Sequence, residues 1–474
     1  MIRWTLVLAV MLGLALACSE TEGEQATGDT GATGTLDADA TLEEAEEAVA
    51  EALPELDALP DLDVPFTPDV PPDIEPDVEA EVEPEPGPLC SQGEPDERII
   101  AFVEDDTFHT GPYLMHTTPR STVVMWETLL DGPGLLEIAS ADELDDLGDE
   151  TAFVDIAARH EDLGERYDYV SEGIEVAAPT TIHEILVEDL VPNTRYAYRV
   201  SVGEQISEIH HFYTAPADGC PIRFTVWGDS RSQIDRCAAV VQSMMPFNPY
   251  LNLNVGDVVT TGSEIEQWKA EYFDPLRPLG HQVPSYVAIG NHEQNVHYFY
   301  DRVHYPNPTE KTQHESYYSF TYGNTFFVVI DTNKPFFPIG PAKPPQVEWF
   351  EEAIASEEAQ AATWRVAFAH HPGYSEGWDP GGCGSYDGTP TVRTYVLPIL
   401  AAHNFQVYFA GHTHDYERGF ENGLLQIISG GGGASLDDWC LDFEHVTVMA
   451  SAYHHMQVTA TSEELRINAV DLDG

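Results

Sequence analysis

From Cys220 onward, short apolar runs alternate with longer stretches in which apolar residues recur every three or four positions. The runs IRFTVW, YLNLNV, SYVAI, TFFVVI, RVAFA, QVYFA and LLQIIS predict strands. Segments 234–245, 263–274, 345–360 and 391–403 predict helices, with Val347, Phe350 and Ile354 on one face of the third. Strands separated by helices imply an α/β domain, and the ending RINAVDLDG predicts a last edge strand. Residues 108–217 read differently. TVVMWET, GLLEIAS, TIHEILVEDL, RYAYRVSV and IHHFYTA are β-rich, alternating and bounded by turn residues, which predicts an antiparallel sandwich.

The remaining chain carries no such pattern. Trp4 to Ala17 is apolar, follows Arg3 and ends at Cys18, too short to span a bilayer comfortably, so 1–18 predicts an export signal. Its end, Ala15-Leu16-Ala17-Cys18, resembles a bacterial lipoprotein signal, which implies lipidation of Cys18 and tethering to an outer membrane or cell surface; plain secretion is the alternative. Ser19 to Pro88 holds 23 Asp and Glu, no Lys or Arg, and repeated Pro. Such a segment cannot bury enough surface to offset its ordering entropy, so 19–98 predicts an extended acidic linker.

The 474 residues include 20 Lys and Arg against 82 Asp and Glu, a formal charge of −62, with about −40 on residues 89–474. Nucleic acid and anionic membrane surfaces are thereby excluded as partners held by charge. Five cysteines follow Cys18: Cys90, Cys220, Cys237, Cys383 and Cys440. None has CxxC spacing, so in an exported chain they predict disulfides, with at least one left unpaired. Cys383–Cys440 is the expected pair because both lie in Gly-rich loops; Cys220–Cys237 is disfavoured by the strand between them.

The chemistry-bearing residues stand directly behind the strands. Gly228-Asp229-Ser230-Arg231 comes after the first, Gly256-Asp257 after the second, Gly290-Asn291-His292-Glu293 after the third, His370-His371-Pro372 after the fifth, and Gly411-His412-Thr413-His414 after the sixth. Open α/β sheets bind ligands at the carboxyl ends of their strands, so these groups converge on one crevice. Carboxylates, an amide and imidazoles suit first-row metals. Two such metals about 3.5–4 Å apart activate a hydroxide and stabilise both oxygens of an in-line displacement at phosphorus. A lone Gly-Asp is most often a turn, and a lone His pair is ambiguous; five motifs at the same strand end are not readily chance.

This set resembles the calcineurin-like metallophosphoesterase superfamily, and GHTHDYER (Gly411 to Arg418) with GPYLMHTTPRSTVVMWET is similar to purple acid phosphatases. The run from Leu190 to Tyr198 resembles a fibronectin type III segment in which Tyr196 makes the tyrosine corner. The resemblance implies four parts: signal 1–18, linker 19–98, a fibronectin-like sandwich 99–218, and a catalytic domain 219–474 of two mixed sheets flanked by helices. It implies two divalent or trivalent metals (Fe, Mn or Zn), one held by Asp229, Asp257 and His414 and the other by Asp257, Asn291, His370 and His412. His292 then binds phosphate or protonates the leaving oxygen, and His371 faces the substrate.

Two departures stand out. Thr260 occupies the place of the family's Tyr, which removes the expectation of a ferric colour. Arg231 stands where many members have a His ligand; it cannot bind metal but can clamp phosphate. The expectation is an exported dinuclear phosphatase hydrolysing small phosphomonoesters by metal-hydroxide attack. A phosphodiesterase and a non-catalytic surface-binding lipoprotein are the alternatives. The Ser429–Gly433 loop, Tyr374, Trp378 and Trp439 are expected to form the lip of the crevice.

Overall fold

The computed structural model describes residues 90–473, except 91–92, 148–152, 154–156, 163, 168–178, 307–314, 337–342, 378–385 and 439–440. The described residues all belong to one compact unit, Val82–Gly474. Cys18, Trp378, Cys383, Trp439 and Cys440, with the expected Cys383–Cys440 pair, lie outside the described residues.

Among the described residues the first part has nine strands: β1 (Thr110–Met115), β2 (Thr122–Thr128), β3 (Gly134–Ser140), β4 (Ala158–Asp162), β5 (Glu165–Tyr167), β6 (Thr180–Val187), β7 (Arg195–Val202), β8 (Gln205–Ile206) and β9 (His210–Tyr213). They form two sheets, β1-β2-β6-β5 and β4-β3-β7-β8, with β9 also on β7, and every pairing is antiparallel. Leu114, Val124, Trp126, Ile185 and Val187 of one sheet pack on Leu136, Ile138, Tyr198, Val200 and Phe212 of the other, so this is a sandwich. The Tyr196 hydroxyl accepts from the Val191 N–H at 3.0 Å, pinning the turn before β7.

Alternation in β2 does not divide core from solvent, because all seven residues are buried. Val124 and Trp126 face the sandwich interior, whereas Val123 and Met125, with Tyr113 and Met115 of β1, pack into the core of the second part.

That part has two mixed sheets. Its strands are β10 (Ile222–Trp227), β11 (Leu251–Asn254), β12 (Ser285–Val287), β13 (Tyr318–Tyr322), β14 (Thr325–Ile330), β15 (Trp364–Ala369), β16 (Val407–Ala410), β17 (Tyr416–Glu421), β18 (Leu424–Ser429), β19 (Val446–Ala450), β20 (His454–Ala460) and β21 (Leu465–Asp471). The orders are β12-β11-β10-β20-β21 and β13-β14-β15-β16-β18-β17-β19, with β10-β11-β12 and β14-β15-β16-β18 parallel. Side chains alternate across the larger sheet. Phe327, Val329, Val366, Phe368, Val407 and Phe409 face the other sheet, while Phe326, Val328, Ile330, Ala367 and Tyr408 face helical residues Phe350, Ile354, Val396 and Leu400.

The second expected helix runs on to Gly280, whereas the third is broken although its periodicity continues. The third ends at Ile354, and a new helix, Glu357–Ala361, starts where the Ser356 hydroxyl accepts from the Ala359 N–H.

Packing on the folded unit begins by Cys90, within the stretch 19–98 expected as linker. Cys90 is disulfide-bonded to Cys220, leaving Cys237 buried and free. Arg98 is buried, with its guanidinium 3.5 Å from the Tyr250 ring and 4.9 Å from that of Tyr213, and it donates to Asn193 Oδ1 and the Thr214 carbonyl. The acidic pattern of the preceding stretch hides this anchor.

Candidate metal centre

The loops after β10, β11, β12, β15 and β16 meet at one end of the sheets, and all nine candidate residues converge there. Three of them, Asp229, Asp257 and His412, adopt left-handed backbone at φ 53°, 55° and 74°. Non-glycine residues rarely hold this conformation, and it bends each chain back so that the side chain points across the strand ends. The glycine before a ligand leaves room for it. A Cβ on Gly290 would stand 2.2 Å from Asp257 Oδ1, and one on Gly411 would stand 2.3 Å from Asp229 Oδ2.

Asn291 Oδ1 lies 3.0 Å from both His370 Nε2 and His412 Nδ1, and these two nitrogens are 3.2 Å apart. Asp257 Oδ1 is 3.3 Å from His370 Nε2. Asn291 Oδ1, His370 Nε2 and His412 Nδ1 so spaced match one face of a coordination shell with bonds of about 2.1 Å, whose donors stand roughly 3.0–3.4 Å apart, and Asp257 adjoins it through His370. The Nδ1–H of His370 is anchored on the Val255 carbonyl at 2.9 Å, which turns Nε2 toward the shell. Burial pulls the His370 pKa down, yet the charge of Asp257 overcomes it and raises it to about 9. A field that holds a proton there also draws a cation. These residues therefore fit a metal ion.

A second group surrounds Asp229. Its Oδ2 accepts the His412 N–H at 2.9 Å, while Oδ1 is buried, accepts no hydrogen bond and lies 3.6 Å from His414 Nε2. Burial drives this carboxyl well above the usual carboxylate range. Arg231 reaches the same point: its Nε is 3.5 Å from Asp257 Oδ2 and its Nη2 is 3.2 Å from His414 Nε2.

His292 stands beside the centre, with Nε2 3.8 Å from Asp257 Oδ2, its backbone N–H on Asp257 Oδ1, and Nδ1 2.6 Å from the Thr260 carbonyl. Thr260, notable in sequence only for the Tyr it replaces, thus orients His292, and Glu271 fixes Thr260 through its N–H and hydroxyl. His371 packs against His412 and keeps Nδ1 on the Thr332 hydroxyl at 2.8 Å. Burial, with His370 beside it, lowers the His371 pKa to about 3, so this imidazole is neutral.

Several supporting residues escape a reading of the sequence. The buried Glu293 carboxylate accepts from the N–H groups of Asp257, Val258 and Gly290, tying two motif loops together. Its signal is its place in GNHE, but an acid is common there and two of its partners lie over thirty residues away. Thr332 and Asn333 follow β14, a strand end with no expected motif; Asn333 donates to the carbonyls of Ile289 and Gly290. Gly430–Gly433 pack backbone to backbone under the Asp229 and His414 loops, since a Cβ on Gly430 or Gly432 would strike the Thr413 or Gly228 carbonyl. Tyr374 turns to Arg393 and His445.

Residues 209–416, which include every candidate metal-site residue, match the family model described as calcineurin-like phosphoesterase. Purple acid phosphatase 23 of Arabidopsis thaliana is 26% identical over 285 residues, 53% of this chain and 60% of that protein. Probable inactive purple acid phosphatase 1 of the same plant is 24% identical, over 55% of this chain and 50% of its own length. The chain thus spans about half the length of the curated relatives it matches. Among solved structures, purple acid phosphatase PPD1 of yellow lupin (Lupinus luteus) superposes with a TM-score of 0.62 at 18% identity, covering 76% of this chain and 72% of that one. PhoD gives 0.56 at 15% identity, covering 77% and 91%. The chain carries a calcineurin-like metallophosphoesterase domain.

Proposed function

We propose that this protein is an exported, metal-dependent phosphatase acting on small phosphomonoesters. The observation that carries this reading is the meeting of Asn291 Oδ1, His370 Nε2 and His412 Nδ1, 3.0–3.2 Å from one another at the ends of parallel strands, with Asp257 Oδ1 3.3 Å from His370 Nε2. When bound, a metal there supplies Lewis-acid activation of water and neutralises phosphate charge. The name of one Arabidopsis relative, Fe(3+)-Zn(2+) purple acid phosphatase 12, gives iron and zinc as the first metals to try.

The chain's own residues supply the rest. His292, its Nδ1–H anchored on the Thr260 carbonyl, presents Nε2 to the leaving oxygen and as the imidazolium delivers the Nε2 proton, leaving the neutral Nδ1–H ring. The neutral His371 and the guanidinium of Arg231 orient phosphate oxygens by hydrogen bonds. Without these positive and donor groups, a chain of this negative charge would repel its substrate.

Export is supported by the Cys90–Cys220 disulfide, which belongs to an oxidising compartment. Anchoring through a lipid on Cys18, beyond a solvated stalk ending near Cys90, completes the proposal. Among the described residues no helix is long and apolar enough to cross a membrane. We take the sandwich to be a fibronectin type III-like docking module with no part in the chemistry.

The test is turnover of an aryl phosphate monoester and the matching diester by the full chain loaded with iron, zinc or manganese. A much higher kcat/KM on the monoester is expected. Preference for the diester would make the protein a phosphodiesterase, and no turnover in a metal-loaded protein would favour a surface-binding role.

A further inference from the structure

Resting on the reading of this crevice as a phosphatase centre, we infer that Arg231 takes the place of one of the family's two cations, so that the chain holds a single metal ion beside its own guanidinium.

The family pattern assigns one cation to Asp229, Asp257 and His414. In this chain Arg231 points at two of them, Asp257 and His414. Its Nε lies 3.5 Å from Asp257 Oδ2 and its Nη2 lies 3.2 Å from His414 Nε2. The His414 tautomer follows from its other nitrogen: Nδ1 is 2.8 Å from the Ser435 carbonyl, which can only accept. The proton is therefore on Nδ1, and the Nε2 lone pair, the one a metal would need, accepts from Arg231. An ion about 2.1 Å from that nitrogen would have to occupy the point the guanidinium faces.

Arginine is suited to this exchange. It is charged at every working pH and offsets the carboxylates of Asp229 and Asp257 as a metal would, but it has no lone pair to coordinate one. At the other position Asn291 Oδ1, His370 Nε2 and His412 Nδ1 lie 3.0–3.2 Å from one another, and Arg231 reaches it only through the shared Asp257. A substrate phosphate bridging the two positions would bind the metal on one side and a guanidinium fork on the other.

The experiment is metal stoichiometry and electron paramagnetic resonance on the purified full chain equilibrated with Mn²⁺. One Mn²⁺ per chain is expected, with the six-line spectrum of an isolated ion. Arg231→His, which restores a ligand type, should raise the count to two and give an exchange-coupled signal. His414→Ala should keep the single ion, whereas His370→Ala should lose it. Two ions per wild-type chain, or a coupled signal from it, would overturn the inference while leaving a metallophosphatase. Loss of the ion on His414→Ala would overturn it as well. A folded wild-type chain that takes up no metal would instead contradict the metal-dependent function on which the inference rests. The wild-type count and spectrum decide the matter even if a variant fails to fold.

Discussion

His292 is held by two backbone contacts and reaches the crevice with one nitrogen. A proton donor so placed matters most when the leaving oxygen is a poor one. His292→Ala should therefore lower kcat on an alkyl phosphate by about 10²–10⁴-fold, within the usual range for a lost general acid, and much less on a nitrophenyl phosphate. Comparing the two substrates checks this, and equal losses would reduce His292 to a binding residue. Individual chemistry-bearing residues are largely legible in the sequence, because each is local to a strand end and of a type that metals use. Their supports are not. Glu293, Thr332 and Ser435 act through partners that only the folded chain brings near, and an acid or hydroxyl in a loop looks ordinary until those partners are known.

Strands are more legible than helices for a physical reason. A fully buried parallel strand is a dense apolar run, and β10, β14 and β18 match their sequence segments residue for residue. Helix periodicity continues through a break when flanking residues stay amphipathic, which is why 345–360 reads as one helix although Ser356 caps a second. The elements that matter most are the turns after the strands. Gly411 allows β16 to end directly against Asp229. Gly411→Ala should push Asp229 aside, release the His412 N–H that its Oδ2 accepts and so shift the His412 ring, cutting metal affinity by about 10-fold or more, while the domain, whose core lies between the sheets, stays folded. Metal titration beside a denaturation curve checks this; unchanged metal affinity would mean the loop has slack.

At the scale of the whole folded unit, the sandwich is fused to the catalytic part through the second face of β2. The ion pair between Glu127 and Arg302 lies in that junction, at 2.7 and 3.2 Å and with both partners buried, and Tyr113 donates to the Arg302 carbonyl at 3.0 Å. Nothing in the sequence of TVVMWET announces a strand buried on both sides, because that depends on which surface meets it. Burial alone would raise the Glu127 pKa, but Arg302, Thr180 and His109 outweigh it and hold it below the ordinary value. Its stabilisation is thus complete above the unfolded value of about 4.3 and is lost as pH falls through the lower folded value. Glu127→Gln, which removes the carboxylate charge facing the buried Arg302 guanidinium, should cost about 3–5 kcal/mol at neutral pH and flatten the acid limb of the stability curve; urea denaturation from pH 7 to 3 reads both. Asp257 faces both cation positions, so metal binding and catalysis should stand or fall with it. The most direct measurement is phosphomonoester turnover together with metal content for wild type and Asp257→Asn. Loss of bound metal and of turnover by at least 10³-fold in a folded variant is the predicted result, and a variant that hydrolyses the ester as fast as wild type would contradict it.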